Sequence, residues 1–246
     1  MRLKDKVALI TGAGCGFGEG IARRFAAEGA KVVIADIDPA RAERVARAIQ
    51  ARSCTVDVSK SDDVRAMVEA TVGWFGRLDI LVNNAGIAQK RGHLLTTPED
   101  EFDRVYAVNV KSIYLGAIHA VPQMQAQGGG VIINTASTAG IRPRPGLTWY
   151  NGSKGAVITL TKSMAGELAA DKIRVNAVCP VIGETGQVAD FMGGDTPEIR
   201  ERITATIPLG RMSTPDDVAA ATLFLASDEA EFLTGVCLEI DGGRCI

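Results

Sequence analysis

Tyr150 and Lys154 stand four residues apart in Trp149-Tyr150-Asn151-Gly152-Ser153-Lys154, a phenol and an ammonium at a spacing that puts both on one face of a helix. Val157, Leu160, Thr161, Met164 and Leu168 follow at intervals of three and four, so the segment reads as a helix with this pair at its head. The pair suits acid–base chemistry. A free phenol titrates near about 10 and exchanges protons poorly at neutral pH, whereas a fixed cation beside it stabilises the phenolate. Lowering a pKa by one takes about 1.4 kcal/mol, so bringing the phenol down by about three needs a close partner shielded from water. The same two residues also fit an exposed lysine beside a half-buried tyrosine, and the rest of the chain must decide.

The elements around the pair alternate. Val7 to Thr11 is a short apolar run ending in Gly12-Ala13-Gly14-Cys15-Gly16-Phe17-Gly18, after which Ile21, Ala22, Phe25 and Ala26 recur with helical spacing. Lys31 to Ala35 reads as a buried strand with Asp36 at its end; Asp38 and Pro39 then supply an N-cap and a first helical residue. Further strands are expected at Cys54 to Val56, Leu78 to Val82, Val131 to Thr135, Arg174 to Val178 and Val236 to Ile240. Helices are expected from Ser61, as cap, to Phe75 and from about Pro98 to Met124. The pattern predicts one domain over residues 1–246, a doubly wound, mostly parallel seven-stranded sheet with helices on both faces.

In such a sheet ligands bind beyond the carboxyl ends of the strands. Glycines after the first strand let a pyrophosphate approach the N-terminus of the next helix, although glycines serve plain turns as well. Asp36, about twenty residues on, is placed to accept hydrogen bonds from a ribose and to repel a 2′-phosphate, and it also fits a loop or capping aspartate. Neither Cys15 nor Ile37 offers positive charge, so the expected cofactor is NAD rather than NADP.

Bulk properties narrow the classes. The 246 residues are 46% hydrophobic and 23% charged with a formal net charge of −2, which argues against nucleic acid and membrane partners. The apolar run Val7 to Ile10 is too short for an export signal. Five cysteines without a C-x-x-C pair, and two histidines without a cluster, predict a reduced cytoplasmic protein with no structural metal.

Several motifs, in order, resemble the short-chain dehydrogenase/reductase family over essentially the whole length. Thr11 to Gly18 looks like its T-G-x-x-x-G-x-G turn, Asp57-Val58 its adenine-contacting pair, and Asn83-Asn84-Ala85-Gly86 its N-N-A-G; Asn109 in Val108-Asn109-Val110 matches its asparagine. Ser137, thirteen residues before Tyr150, matches its serine, and Tyr150 with Lys154 its Y-x-x-x-K. The resemblance implies a Rossmann-type fold and hydride transfer between a nicotinamide cofactor and a secondary alcohol or ketone, with Asn109, Ser137, Tyr150 and Lys154 catalytic. It further implies cofactor contacts from Gly12, Cys15, Gly16, Phe17, Gly18, Asp36, Ile37, Asp57, Val58, Asn83, Ala85, Gly86, Tyr150, Lys154, Pro180, Ile182 and Thr185. In the implied roles Tyr150 exchanges the proton and Ser137 holds the substrate oxygen. Lys154 lowers the Tyr150 pKa and binds the nicotinamide ribose, and Asn109 holds a relay water.

One position departs from the pattern. The family reads P-G-x-x-x-T after the sixth strand, and this chain reads Pro180-Val181-Ile182-Gly183-Glu184-Thr185. If that glycine needs positive φ, Val181 is strained and the loop shifts. A mobile lid is expected over about 186–208, including Phe191-Met192 and Gly193-Gly194. Trp149 reads as a pocket or interface residue. Arg142 and Arg144 read as solvated loop arginines flanking Pro143 and Pro145 more than as a magnet for a carboxylate or acyl carrier. Apolar helices and the last strand imply, through the family, a homotetramer. A 3-oxoacyl thioester reductase is the alternative activity, weighed down by Asp36, and a catalytically silent nucleotide sensor is the remote one.

Overall fold

Strand β1 (Val7–Thr11) is buried along its whole length, as a strand covered on both faces must be. It is an interior strand, third of seven hydrogen-bonded in the order β3-β2-β1-β4-β5-β6-β7. The others are β2 (Lys31–Asp36), β3 (Arg52–Thr55), β4 (Ile80–Asn83), β5 (Gly130–Thr135), β6 (Ile173–Pro180) and β7 (Cys237–Ile240). Every pair is parallel, which is stricter than the mostly parallel sheet expected. The computed structural model describes residues 1–186, 188 and 192–246.

Alternate residues of each strand feed two cores, because successive side chains leave opposite faces of a sheet. Ala8, Ile10, Val32, Ile34, Ile80 and Val82 meet the apolar stripes of α1 (Gly16–Ala27) and α2 (Pro39–Ala48), with α8 (Pro215–Ala226) on the same face. Leu9, Val33 and Leu81 meet α3 (Ser61–Phe75), α5 (Ser112–Ala126) and α6 (Thr148–Leu168). Strand order reverses between β2-β1 and β1-β4, so the carboxyl ends of β1 and β4 open the crevice where ligands bind in such sheets.

Local chemistry explains the joints. At the start of α2, Asp38 accepts from the N–H groups of Ala40 and Arg41 and Pro39 is the first helical residue, as expected. The cap expected of Ser61 belongs elsewhere: Ser61 lies inside α3, and its hydroxyl pairs with His119 Nε2 at 3.0 Å, a partner from another helix. The helix expected from about Pro98 to Met124 is interrupted. It runs as α4 (Glu99–Tyr106), a π turn (Ala107–Lys111) and α5. The extra residue of a π turn rotates the side chains that follow, a device frequent at functional sites, and Asn109 lies within it.

The 186–208 segment contains α7 (Pro197–Thr204). Met192 and Ile199 pack on Val181, Val188, Ile203, Ile207 and Met212, while Phe191, also expected in the lid, lies outside the described residues. Val181 is buried without positive φ, so the strain expected there is absent. Its N–H donates to the Ile240 carbonyl at 3.0 Å and its carbonyl accepts from the Ser213 hydroxyl at 3.2 Å.

Candidate active site

The turn after β1 is held by what approaches it. Gly12 has φ +62°, and a Cβ on Gly18 would lie 2.2 Å from the Gly12 carbonyl oxygen, so only glycine lets the strand fold back on the helix start. Asn84 closes the turn from β4, donating to the carbonyls of Thr11 and Gly12 at 2.9 and 3.1 Å. Cys15, the N-cap of α1, makes no side-chain cap, which leaves the first N–H groups of α1 open to the cleft as an anion site. Across the turn, buried Asp36 accepts from Gly14 N at 2.8 Å and Asp38 N at 3.0 Å. Its carboxylate is thereby fixed beside the cleft.

The same cleft, about 790 Å³, holds Tyr150, Lys154 and Ser137. Tyr150 is 7% and Lys154 5% exposed, which rejects the exposed-lysine reading. Lys154 Nζ donates to the Thr135 carbonyl at 2.8 Å and lies 5.9 Å from the centroid of the Tyr150 ring. Burial pushes the Tyr150 phenol up to about 12 against the opposing pull of a hydrogen bond with Ser137 and of the Arg144 charge. Burial also pulls Lys154 down to about 8. The expected lowering of the phenol is thus not met by the chain's own groups: desolvation of the phenolate outweighs them, and the cation acting on it is Arg144. Ser137 Oγ accepts from Ala139 N at 3.1 Å and donates to the Pro180 carbonyl at 3.4 Å, so it stands beside the phenol with only weak bonds elsewhere.

A family model described as enoyl-(acyl carrier protein) reductase matches residues 12–244. The chain belongs to the short-chain dehydrogenase/reductase family. It is 53% identical over 252 residues to 4-formylbenzenesulfonate dehydrogenase of Comamonas testosteroni, covering 100% of both chains. It is 42% identical to 2-(R)-hydroxypropyl-CoM dehydrogenase of Xanthobacter autotrophicus, over 97% of this chain and 98% of that one. Among solved structures, 3-ketoacyl-(acyl-carrier-protein) reductase of Brucella melitensis complexed with NADH superposes with a TM-score of 0.94 at 50% identity, covering 99% of this chain and 100% of the other.

Most residues matched to the family's motifs line this one cleft: Gly12, Cys15, Gly16, Phe17, Gly18, Asp36, Ile37, Asp57, Val58, Ala85, Gly86, Ser137, Tyr150, Lys154, Pro180, Ile182 and Thr185. Two do not. Asn83 is buried and donates to Asn134 Oδ1 at 2.9 Å, which ties β4 to β5, while its neighbour Asn84 lines the cleft. Asn109 lies behind the cleft wall, accepting from Ile87 N at 2.9 Å and donating to Ile87 O at 3.0 Å and Ser153 Oγ at 3.1 Å. A Cβ on Gly86 would stand 3.3 Å from Lys154 Nζ and 3.4 Å from Asn109 Oδ1, so both flank that backbone. The Asp57 carboxylate is engaged by Ser59, whose N–H and hydroxyl donate at 3.0 and 2.7 Å. Outside the cleft, ligand atoms of Glu239, Asp241 and Cys245 lie within 4.8 Å of one another, but the Asp241 carboxylate already accepts from Gly243 N and Cys245 N and so serves the turn.

Gln89 and Arg41 escape the sequence reading, and Arg144 reads there as a solvated loop arginine more than as an anion site. Gln89 is buried, and its Oε1 accepts from Trp149 N at 2.9 Å and Tyr150 N at 3.1 Å, capping α6 at the head of the reactive pair. Trp149 itself packs edge-on against Phe102 at 5.5 Å. Arg41 lines the cleft beside Asp36 and Cys15, which corrects the expectation that no positive charge stands near the ribose end; the first turn of α2 delivers it. Arg144, expected in solvent, is half-buried and lines the cleft with Tyr150. An i,i+4 pair or a glycine turn is legible in one stretch, whereas these three act across elements.

Proposed function

We propose that the protein interconverts an alcohol and its carbonyl compound by NAD(H)-dependent hydride transfer, with Tyr150 as general acid and base. The observation that carries this reading is a single cleft in which the glycine turn, the Asp36 carboxylate and the buried Tyr150–Lys154 pair meet. The residues fit a dinucleotide. The uncapped start of α1 suits the pyrophosphate, Asp36 the ribose hydroxyls, and the Thr185 methyl stands 3.5 Å from where a Gly16 Cβ would be, leaving a narrow channel between turn and loop.

Bound there, the nicotinamide supplies the hydride acceptor or donor. Ser137 holds the substrate oxygen by a hydrogen bond, and Tyr150 Oη takes the hydroxyl proton in oxidation or returns it in reduction. Lys154, buried and anchored on Thr135, supplies the ammonium that would hold the nicotinamide ribose. Asn109 clasps the Ile87 backbone to α6 through Ser153 and so positions the loop after β4 beside Lys154. Gly186 and Met192, described residues of the 186–208 segment, line the cleft, which supports a lid role for that part of the chain.

The relative named 3-ketoacyl-(acyl-carrier-protein) reductase supports a second substrate class, 3-oxoacyl thioesters, at the same site. A turnover screen of secondary alcohols, ketones and acyl thioesters with NAD(H) separates the two. In the enzyme reading Tyr150→Phe lowers kcat/KM by at least about a thousandfold while NADH fluorescence titration still reports binding; equal turnover by the variant overturns the role of Tyr150.

We also place the protein in the cytoplasm as a homotetramer. Tyr114 and Ile118 leave 59% and 49% of their surface exposed on α5, and Phe232, close before the edge strand β7, leaves 99%; these apolar faces support burial between subunits. No helix among the described residues is long and apolar enough to cross a membrane.

A further inference from the structure

Among the described residues, Arg144 is the one cation at the substrate end of the cleft that the proposed reaction does not use. It lines the cavity with Tyr150, Ser137, Leu147 and Met192, away from the ribose end marked by Asp36 and Arg41. Its loop is fixed from behind: the Asn151 amide donates to the Arg144 carbonyl at 2.8 Å, and Gly92 N donates to the Gly146 carbonyl at 3.0 Å. No ion pair or side-chain hydrogen bond holds its guanidinium among the described residues. A half-buried guanidinium without a protein acceptor gives up part of its hydration, and no protein group replaces it among the described residues.

Its neighbours add to the imbalance. Arg91 packs along the same loop, with Cγ and Nε 3.2 and 3.5 Å from where a Cβ on Gly146 would be. Arg244, in the turn after β7, has a buried Nε with no partner, and its carbonyl accepts from Arg142 Nη1 at 2.7 Å, which ties that turn to the Arg144 loop. Burial lowers the Arg144 pKa, and the charges of Arg244 and Arg91 lower it further, so three guanidiniums share one neighbourhood. The groups that oppose this are the Cys245 thiol and the Tyr150 phenol, and no carboxylate is among them. The missing component is an anion. It belongs to something that enters the cleft, because a planar guanidinium binds an oxoanion through two parallel hydrogen bonds.

We propose that the substrate carries a second, anionic group, a carboxylate or sulfonate set apart from the reacting carbon, and that Arg144 receives it with Arg91 and Arg244 supplying the surrounding positive field. This rests on the alcohol–carbonyl reading of the cleft. Tyr150 and Ser137 grip one end of the molecule and Arg144 the other, which fixes the face offered to hydride.

The test compares three aryl ketones that differ only at the far position: 4-acetylbenzenesulfonate, 4-acetylbenzoate and the neutral 4-acetylphenyl methyl sulfone. Wild type is expected to favour an anionic ketone over the neutral one by about 30-fold in kcat/KM, mostly through KM, the scale of one charge-assisted pair. In Arg144→Gln the ratio falls to near one, and Arg144→Lys restores part of it. Benzenesulfonate binding to the enzyme–NADH complex, read by cofactor fluorescence, follows the same order without turnover. A wild type with no preference, or an Arg144→Gln variant that loses all three ketones equally, overturns the proposal. Sulfonate binding that depends on Arg144, with no ketone, alcohol or thioester turned over, keeps the anion site and overturns the alcohol–carbonyl reading instead. The two sulfonate and carboxylate arms identify which oxoanion is preferred.

Discussion

At the scale of single residues, the reactive pair is governed by burial. Lys154 titrates near 8 in the folded chain against 10.5 for a free lysine, because the charged form is desolvated. Below pH 8 both folded and unfolded chains carry that proton, and the desolvation penalty is fully present. Between about 8 and 10.5 the unfolded chain binds the proton and the folded one does not, so stability rises with pH. Tyr150 has the opposite sign, titrating at about 12 against 10.0, so its contribution falls away between those values. Urea midpoints measured from pH 7.5 to 10 are expected to rise for wild type relative to Lys154→Met; parallel curves would show that Lys154 is not desolvated in solution.

At the scale of elements, cofactor choice is a contest between the end of β2 and the first turn of α2. In the proposed binding mode the Asp36 carboxylate would face the adenosine ribose and oppose a 2′-phosphate, and Arg41 lines the cleft beside it while paired to Asp38 at 3.0 Å. The carboxylate is held at the turn, since it accepts from Gly14 N, and is expected to prevail over Arg41 in the native chain. Wild type is therefore expected to bind NADH at least about tenfold more tightly than NADPH, about 1.4 kcal/mol. Asp36→Ser should move the preference toward NADPH by about tenfold or more, and adding Arg41→Ala should abolish that gain. Fluorescence titration of both cofactors measures each step, and an Asp36→Ser variant still selective for NADH would remove Arg41 from the argument.

For the whole molecule, the two cores on either face of the sheet account for the buried stripes of the helices, yet α5 still offers Tyr114 and Ile118 to solvent. Light scattering is expected to give a particle four times the 25.9 kDa chain mass. Tyr114→Asp with Ile118→Asp should halve it, because a charge buried in a subunit interface costs more than an exposed one. A wild-type monomer would mean that these side chains are ordinary exposed apolar surface.

Features carried within one stretch, or by the alternation of strands and helices, were legible before any folding was considered. The glycine turn, Asp36 at a strand end, the Asp38–Pro39 helix start, the Tyr150–Lys154 pair and the parallel sheet are all of this kind, because backbone conformation and helical spacing are local properties. Whatever depends on neighbours distant in the chain was settled only by the fold. The π turn at Asn109 interrupts a stretch whose sequence reads as one continuous helix. Gln89 caps a helix that begins about sixty residues later. Burial reversed the expected direction of the Tyr150 pKa, and Val181 found an unstrained backbone where a glycine-like one was expected. Arg41 and Arg144 look like surface charge in the sequence, and only the folded chain turns them into the cleft, one toward each end of the ligand path.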